Sequence, residues 1–350
     1  MRNQSLDILR GIAILLVIGY HYSRIPLLFN FGWTGVDLFF VLSGFLISGL
    51  LFSEYKRSGR IDAARFWIRR GFKIYPSFYV VMAITALSLY AALGHEPPGI
   101  AEECLFLQNY GPHIWEHTWS LAVEEHFYLI LPPLLIIMTR LSSDRANPFL
   151  RLPWIFACAG FVCLGLRLIG QADGMNWVAL HSRTHLRIDS LFAGVFLGYI
   201  KHFHQETFTS LSRRPLWVMA IPFLVPAMLM RDYSPFMNTW GPTALYIGYS
   251  CILLSVVERG PSSGRLARGV AYIGRYSYSI YLWHGVVWPL LFRNHFDLRF
   301  LLLGVFVSIP CGIVLSKMIE MPALHFRERL FPSRSLPVAA AYPQLALNLK

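Results

Sequence analysis

Arg10 and His21 stand eleven residues apart in an otherwise apolar stretch. At ~100° and ~1.5 Å per residue, a helix puts both on one face, ~16 Å apart along its axis. A guanidinium at one depth can hold an anion, and an imidazole at another can move a proton near neutral pH. Asp7, one turn before Arg10, shares that face and can pair with it. Other ionisable residues interrupt apolar runs in the same way: Asp37, Glu124 and Glu125, Arg187 and Asp189, and His284. The helical neighbours of Glu124 at four residues either side are Ser120 and Tyr128, whereas those of Glu125 are Leu121 and Leu129. Glu124 is therefore the carboxylate expected to face a pocket, where it could orient His21 as a general base. A second pattern is basic: Arg65, Arg69 and Lys73 recur every four residues with Arg70 beside them, a helical face suited to phosphate groups. His113 with His117, and His181 with His185, have i,i+4 spacing, but no Cys or ordered carboxylate completes a ligand set, so no metal is expected.

The elements that must carry these residues follow from composition. The chain has 350 residues, 55% of them hydrophobic and only 14% charged, against about 25% charged in a soluble domain. With 26 Phe, 17 Tyr and 10 Trp it is also too apolar to be disordered. An all-α polytopic membrane protein remains. Apolar runs place about ten transmembrane helices near 7–23, 35–53, 74–94, 119–139, 152–170, 188–203, 215–230, 240–257, 270–292 and 299–319. Pro222 and Pro226 mark the seventh as broken or tilted. On that frame 23 Lys and Arg fall on the N-terminal side against six opposite, which by the positive-inside rule makes both termini cytoplasmic. The net charge of +12 thus reads as topology, and no nucleic-acid groove is indicated. No small-residue cleavage site follows the first apolar run, so it is expected to stay as a span. The five cysteines form no C-x-x-C pair and read as packing residues. Seven ionisable groups from five spans (His21, Asp37, Glu124, Glu125, Arg187, Asp189 and His284) then fall in one outer layer, as a buried reaction chamber or an ion relay requires.

Six segments in order resemble the acyltransferase-3 family of integral-membrane O-acyltransferases, which includes bacterial O-antigen and exopolysaccharide O-acetyltransferases. They are Leu6-Asp7-Ile8-Leu9-Arg10-Gly11 with His21; Gly35-Val36-Asp37-Leu38-Phe39-Phe40-Val41-Leu42-Ser43-Gly44-Phe45; Arg65 to Pro76; Trp119 to Tyr128; Arg187-Ile188-Asp189; and Ser277-Tyr278 with Tyr281-Leu282-Trp283-His284. The resemblance implies a cytoplasmic acyl-CoA donor, most often acetyl-CoA, and a hydroxyl acceptor on a carbohydrate or related molecule in the cell envelope of a bacterium, the protein lying in the inner membrane. By the same resemblance Arg10, His21 and Glu124 match the family's essential Arg, His and Glu and are expected to be catalytic; the basic face of Arg65, Arg69, Arg70 and Lys73 is expected to hold the donor, and Asp37, Trp119, Arg187, Asp189 and His284 the acceptor. Lys73 stands where the family's basic motif usually ends in Arg, and His126 where Gln is commoner. Residues 1–330 are expected to form the transmembrane domain and 331–350 a short cytoplasmic tail, without the esterase-like domain fused to some members. The competing reading is a proton-coupled transporter or lipid-linked sugar flippase, in which Asp37, Glu124 and His21 form a proton relay. The basic face speaks for the enzyme, because a transporter needs no nucleotide site.

Overall fold

A computed structural model describes residues 3–22, 25–260, 262–291 and 298–332. Helices make up 82% of it and no strand occurs among the described residues, which settles the all-α class. In chain order the helices are α1 (Gln4–Tyr22), α2 (Pro26–Phe31), α3 (Gly35–Ser58), α4 (Ala63–Leu93), α5 (Ile100–Cys104), α6 (Trp119–Leu141), α7 (Leu152–Ala172), α8 (Trp177–Ser182), α9 (Thr184–Phe203), α10 (Gln205–Ser212), α11 (Leu216–Leu229), α12 (Pro235–Val257), α13 (Arg265–Arg275), α14 (Ser277–Leu291), α15 (Leu298–Leu315) and α16 (Met321–Leu330). A π turn, Ser316–Glu320, joins the last two. Seven helical stretches among the described residues are long and apolar enough to cross a membrane. The expected tail from 333 onward lies outside the described residues.

Local chemistry sets several of these limits. Gly59, with φ of 67°, ends α3 in a left-handed turn. Asp62 then caps α4 by accepting from the Arg65 N–H at 3.0 Å. The 31 residues of α4 extend for ~46 Å, well beyond a hydrocarbon core of ~30 Å. The basic face from Arg65 to Lys73 is therefore the first part of this helix, continuous with its apolar run, and not a separate loop helix. In α6, Pro132 has no N–H to give the Tyr128 carbonyl. The indole Nε1 of Trp67 on α4 donates to it instead, at 2.8 Å, which ties the basic face to α6.

Three expectations change. The ninth segment is not one helix: the chain turns at Tyr276, leaving α13 laid along α1 and a shorter α14. Arg275 at that turn keeps an exposed side chain while pairing with Asp7 at 3.7 Å, so its charge never enters the apolar interior. The seventh segment is one 14-residue helix that contains both Pro222 and Pro226. The sixth, α9, starts earlier than expected and buries Arg187 and Asp189; its charges are surrounded by protein, not by lipid. It packs closely on α3 through Gly44 and Gly194, where a Cβ on either would collide with a carbonyl of the facing helix.

The connection between α4 and α6 is organised by Glu103. Its buried carboxylate accepts from the N–H groups of Ile114 and Trp115 at 3.2 and 3.0 Å, and from the Thr118 hydroxyl at 3.0 Å. Burial raises its pKa, opposed by these same hydrogen bonds. Replacing Glu103 with Ala strands three donors and should cost about 1–3 kcal/mol, read as a lower melting temperature of the detergent-solubilised protein. An unchanged transition would remove Glu103 as the organiser of this segment.

Candidate active site

Three chambers adjoin one another through the bundle. The first, of about 700 Å³, is basic: Arg10, Arg57, Arg65, Arg69, Arg70, Lys73, Arg275 and Arg327 line it, with Glu54 and Glu320. The second is a narrow space of about 90 Å³ that shares Arg10, Arg70 and Lys73 with the first and adds Glu124, Ser43 and an apolar wall including Val36, Phe39 and Leu121. The third, of about 290 Å³, shares Val36 and Tyr281 with the second. It holds His21, His117, His181, Asp37, Arg187 and Asp232 among four tryptophans, Trp33, Trp115, Trp119 and Trp177. The Tyr281 hydroxyl, bonded to the His117 carbonyl and Ser120 Oγ at 2.5 Å each, braces the wall between the second and third chambers.

His21 makes one hydrogen bond among the described residues, from Nδ1 to the Val17 carbonyl at 2.9 Å. A carbonyl only accepts, so Nδ1 carries the proton and Nε2 keeps its lone pair, the tautomer a general base needs. The His284 ring meets that of His21 edge to face at 5.0 Å, and the His117 ring at 4.9 Å. His284 gives its Nδ1 proton to the Tyr281 carbonyl and sits fully buried, its Nε2 without a hydrogen-bond partner among the described residues. His181 likewise bonds the Trp177 carbonyl through Nδ1 at 3.0 Å. Burial, and then the charge of Arg187, push its pKa down to about 3, so at physiological pH it presents a neutral, unpartnered Nε2. Among the described residues no group of three His, Cys, Asp or Glu side chains is arranged to hold a metal ion.

Glu124 is elsewhere. It accepts from the Tyr128 hydroxyl at 2.8 Å; that hydroxyl also accepts from Arg70 Nη2 at 2.7 Å and meets Ser43 Oγ at 2.6 Å. The Arg70 guanidinium lies 4.5 Å from the Tyr128 ring centroid. Glu124 therefore faces Arg70 in the narrow chamber and does not orient His21, contrary to the sequence expectation. Five residues separate it from Trp119, ~7.5 Å along α6, which takes it below the third chamber. Glu125 points away and accepts from Tyr75 at 3.0 Å.

The two acidic–basic pairs of α9 also part company. Arg187 Nη2 donates to Asp37 at 2.5 Å, with its guanidinium 5.8 Å from the Phe40 ring and 5.7 Å from Trp119. Both partners line the third chamber, and Arg187 Nε and Nη1 and Asp37 Oδ2 have no hydrogen-bond partner among the described residues. Asp189 is instead gripped by Arg167 through two contacts of 2.9 and 3.3 Å, both side chains wholly buried. Arg167 also donates to Thr243 and to the Leu186 carbonyl, at 2.7 Å each. Asp189 lines none of these three chambers and instead joins α7, α9 and α12 through Arg167, which sets it apart from the acceptor site where it was expected. The charges read as one layer thus scatter: His21, Asp37 and Arg187 line the third chamber and Glu124 the second, Asp189 enters a structural pair, and Glu125 and His284 line neither chamber.

The family profile described as an acyltransferase domain matches residues 3–317, nearly the whole of this bundle. The chain belongs to the acyltransferase-3 family. A candidate O-acetyltransferase of Staphylococcus aureus is 27% identical over 94% of this chain and 59% of its own length. The peptidoglycan O-acetyltransferase of Listeria monocytogenes is 26% identical, and a candidate peptidoglycan O-acetyltransferase of Bacillus subtilis 30%, each over 80% of this chain and 48% of its own. The chain thus spans about half to three-fifths of these relatives. No solved structure matches it.

Within this acyltransferase-3 chain, the structure adds residues that sequence reasoning missed. His117 was set aside as half of an incomplete metal pair, and His181 as half of another. Glu320, a buried carboxylate bonded to Lys73, Ser279 and Ser316, fell one residue beyond the last expected span; extending that apolar run by one turn would have flagged it. Arg167 was visible as a charge inside a span, but its partner was not.

If Asp189 is structural, Asp189→Ala should lower stability by about 3–5 kcal/mol by leaving Arg167 buried and unpaired, whereas Arg167→Met with Asp189→Leu should recover most of that loss. Thermal unfolding in detergent distinguishes the two; a double variant no more stable than the single one would contradict this reading.

Proposed function

We propose that this protein is a membrane O-acyltransferase that moves an acyl group, acetyl being the best fit, from cytoplasmic acyl-CoA to a hydroxyl of a cell-envelope glycan, in the inner membrane of a bacterium. The observation that carries the reading is the alignment of chambers: cations at one end, a tautomerically prepared imidazole at the other, and a narrow passage between them. On the reading of about ten spans with both termini cytoplasmic, the basic chamber would open on the cytoplasmic side, in line with the Lys and Arg excess expected there. The relatives named as peptidoglycan O-acetyltransferases make a peptidoglycan sugar the favoured acceptor.

The phosphates of the donor would lie in the basic chamber, held by Arg65, Arg69, Arg70 and Lys73 with Arg57 and Arg275. Its pantetheine arm would cross the narrow chamber, past Arg10 and the apolar wall, over the ~16 Å that separates Arg10 from His21. The acceptor would rest among the four tryptophans of the third chamber, whose faces suit the C–H faces of a sugar. Arg187, His181 and Asp37 hold spare donors and acceptors there for hydroxyl and carbonyl groups.

In direct transfer, His21 Nε2 removes the acceptor hydroxyl proton as its oxygen attacks the thioester carbonyl; the C–S bond breaks and the proton passes to the departing thiolate. In a two-step version Nε2 attacks the thioester carbonyl and the C–S bond breaks, releasing the coenzyme A thiolate; the acceptor oxygen then attacks the acyl carbonyl, the C–N bond breaks to restore His21, and the hydroxyl proton passes to the thiolate. Arg10, ~16 Å from His21 along α1, lines the donor path, where its guanidinium can hold the amide carbonyls of the pantetheine arm. Glu124 offsets the charge of Arg70 and holds Tyr128, which keeps the passage polar on one side.

His21→Ala should abolish transfer of label from acetyl-CoA to glycan, a loss of at least ~10²-fold. Label recovered on His21 in the absence of acceptor selects the two-step route, and its absence with full turnover selects direct transfer. Undiminished transfer by His21→Ala would remove this residue from the mechanism.

A further inference from the structure

Three of the four cations assigned to the donor already have ligands from one segment of the chain. Arg69 donates to Glu328 Oε1 at 2.7 Å and to the Phe331 carbonyl. Arg65 donates to the Pro332 carbonyl. Lys73 pairs with Glu320. Arg327 completes the seam by donating to the Arg69 carbonyl at 3.3 Å and to Glu328 at 2.6 Å. Phe72 rests against Phe326 and Phe331, with centroids 6.0 and 6.4 Å apart. Residues 320–332 thus supply carboxylate and carbonyl oxygens to three of the four cations, the same kind of ligand that a phosphate would offer.

Two further features suit this contact to being broken. The Arg69–Glu328 pair is only partly buried, its side chains 23% and 15% exposed, and ion pairs of that kind contribute little net stability. The π turn Ser316–Glu320 stands between the apolar length of α15 and the contacting helix α16. Such a turn interrupts the regular i→i−4 ladder and is a place where a helix bends. Glu320 lies in it and is held by Ser279 and Ser316 at 2.7 and 3.1 Å as well as by Lys73, so the base of the segment is pinned while its far end rests on weaker pairs.

We propose that α16 is an internal competitor for the donor's phosphates, seated on the basic face by Glu328 and displaced about the π turn when a nucleotide-bearing donor enters. This rests on the acyl-CoA reading above. Glu328 belongs to the latch and not to the chemistry, so weakening it raises the fraction of protein ready to bind, and the apparent dissociation constant falls in proportion.

The test uses the full chain in detergent and coenzyme A itself as the probe. Glu328→Gln should tighten coenzyme A binding about three- to fivefold, the size expected of a partly exposed ion pair. Glu54→Gln removes the same charge from the wall of the same chamber without touching the seam, and should change binding by about twofold or less. Hydrogen exchange of residues 321–332 should rise when coenzyme A saturates the wild type. Equal effects of the two substitutions, no effect of Glu328→Gln, or exchange that is unchanged or slowed by coenzyme A would each overturn the competitor while leaving the donor reading in place. Failure of the wild type and of Glu328→Gln alike to bind coenzyme A would overturn the donor reading, and this inference with it.

Discussion

A charge buried among apolar helices has to find its counter-charge inside the protein, because neither lipid nor packed side chains solvate it. That constraint organises the centre of this bundle. Asp189 and Arg167 satisfy each other completely and so join α7, α9 and α12. Two residues away on α9, and so on a different face of it, Arg187 and Asp37 satisfy each other in part, joining α9 to α3 while leaving nitrogen and oxygen atoms without a partner among the described residues at the edge of a chamber. Two pairs of the same composition thus do different work, and the difference is whether the second face of each group meets protein or open space.

The same accounting explains the passage. Arg10, Arg70 and Lys73 approach one another where the basic and narrow chambers meet, an arrangement that self-repulsion would open if it were not balanced. Glu124 answers from above through Tyr128, and Glu320 from below by direct contact with Lys73. The carboxylates are thereby committed to holding cations in place. His21 keeps a backbone-fixed tautomer beside the His284 ring, and under the proposed reaction its usefulness as a base would depend on which nitrogen the Val17 carbonyl occupies.

Much of this was legible in the residues. The apolar runs foretold where most long helices lie, since a run of that length has no other stable form in an apolar solvent. Spacing on α6 distinguished Glu124 from Glu125 because a helix turns adjacent side chains about 100° apart. The spacing of Arg65, Arg69 and Lys73 marked one face for the same reason. Other readings failed for physical reasons that can be named. Depth along a span was judged from one helix at a time, so charges on differently placed helices were read as a single layer, and Glu124 was assigned to His21 when Arg70 was nearer. Asp189 looked like its neighbour Arg187 because sequence shows a charge but not what faces it.

The sequence by itself determined the class of molecule, the family, the helices and the faces on which their polar residues lie, because these depend on local periodicity and on hydrophobic length. Only the tertiary structure decided who pairs with whom: Asp189 with Arg167, Glu124 with Arg70 through Tyr128, Glu320 with Lys73, and α16 with the basic face. Pairing between helices depends on their relative depth and rotation. Those are set by long-range packing, such as the close crossing of α3 and α9 at Gly44 and Gly194, and leave no mark in the spacing along either helix.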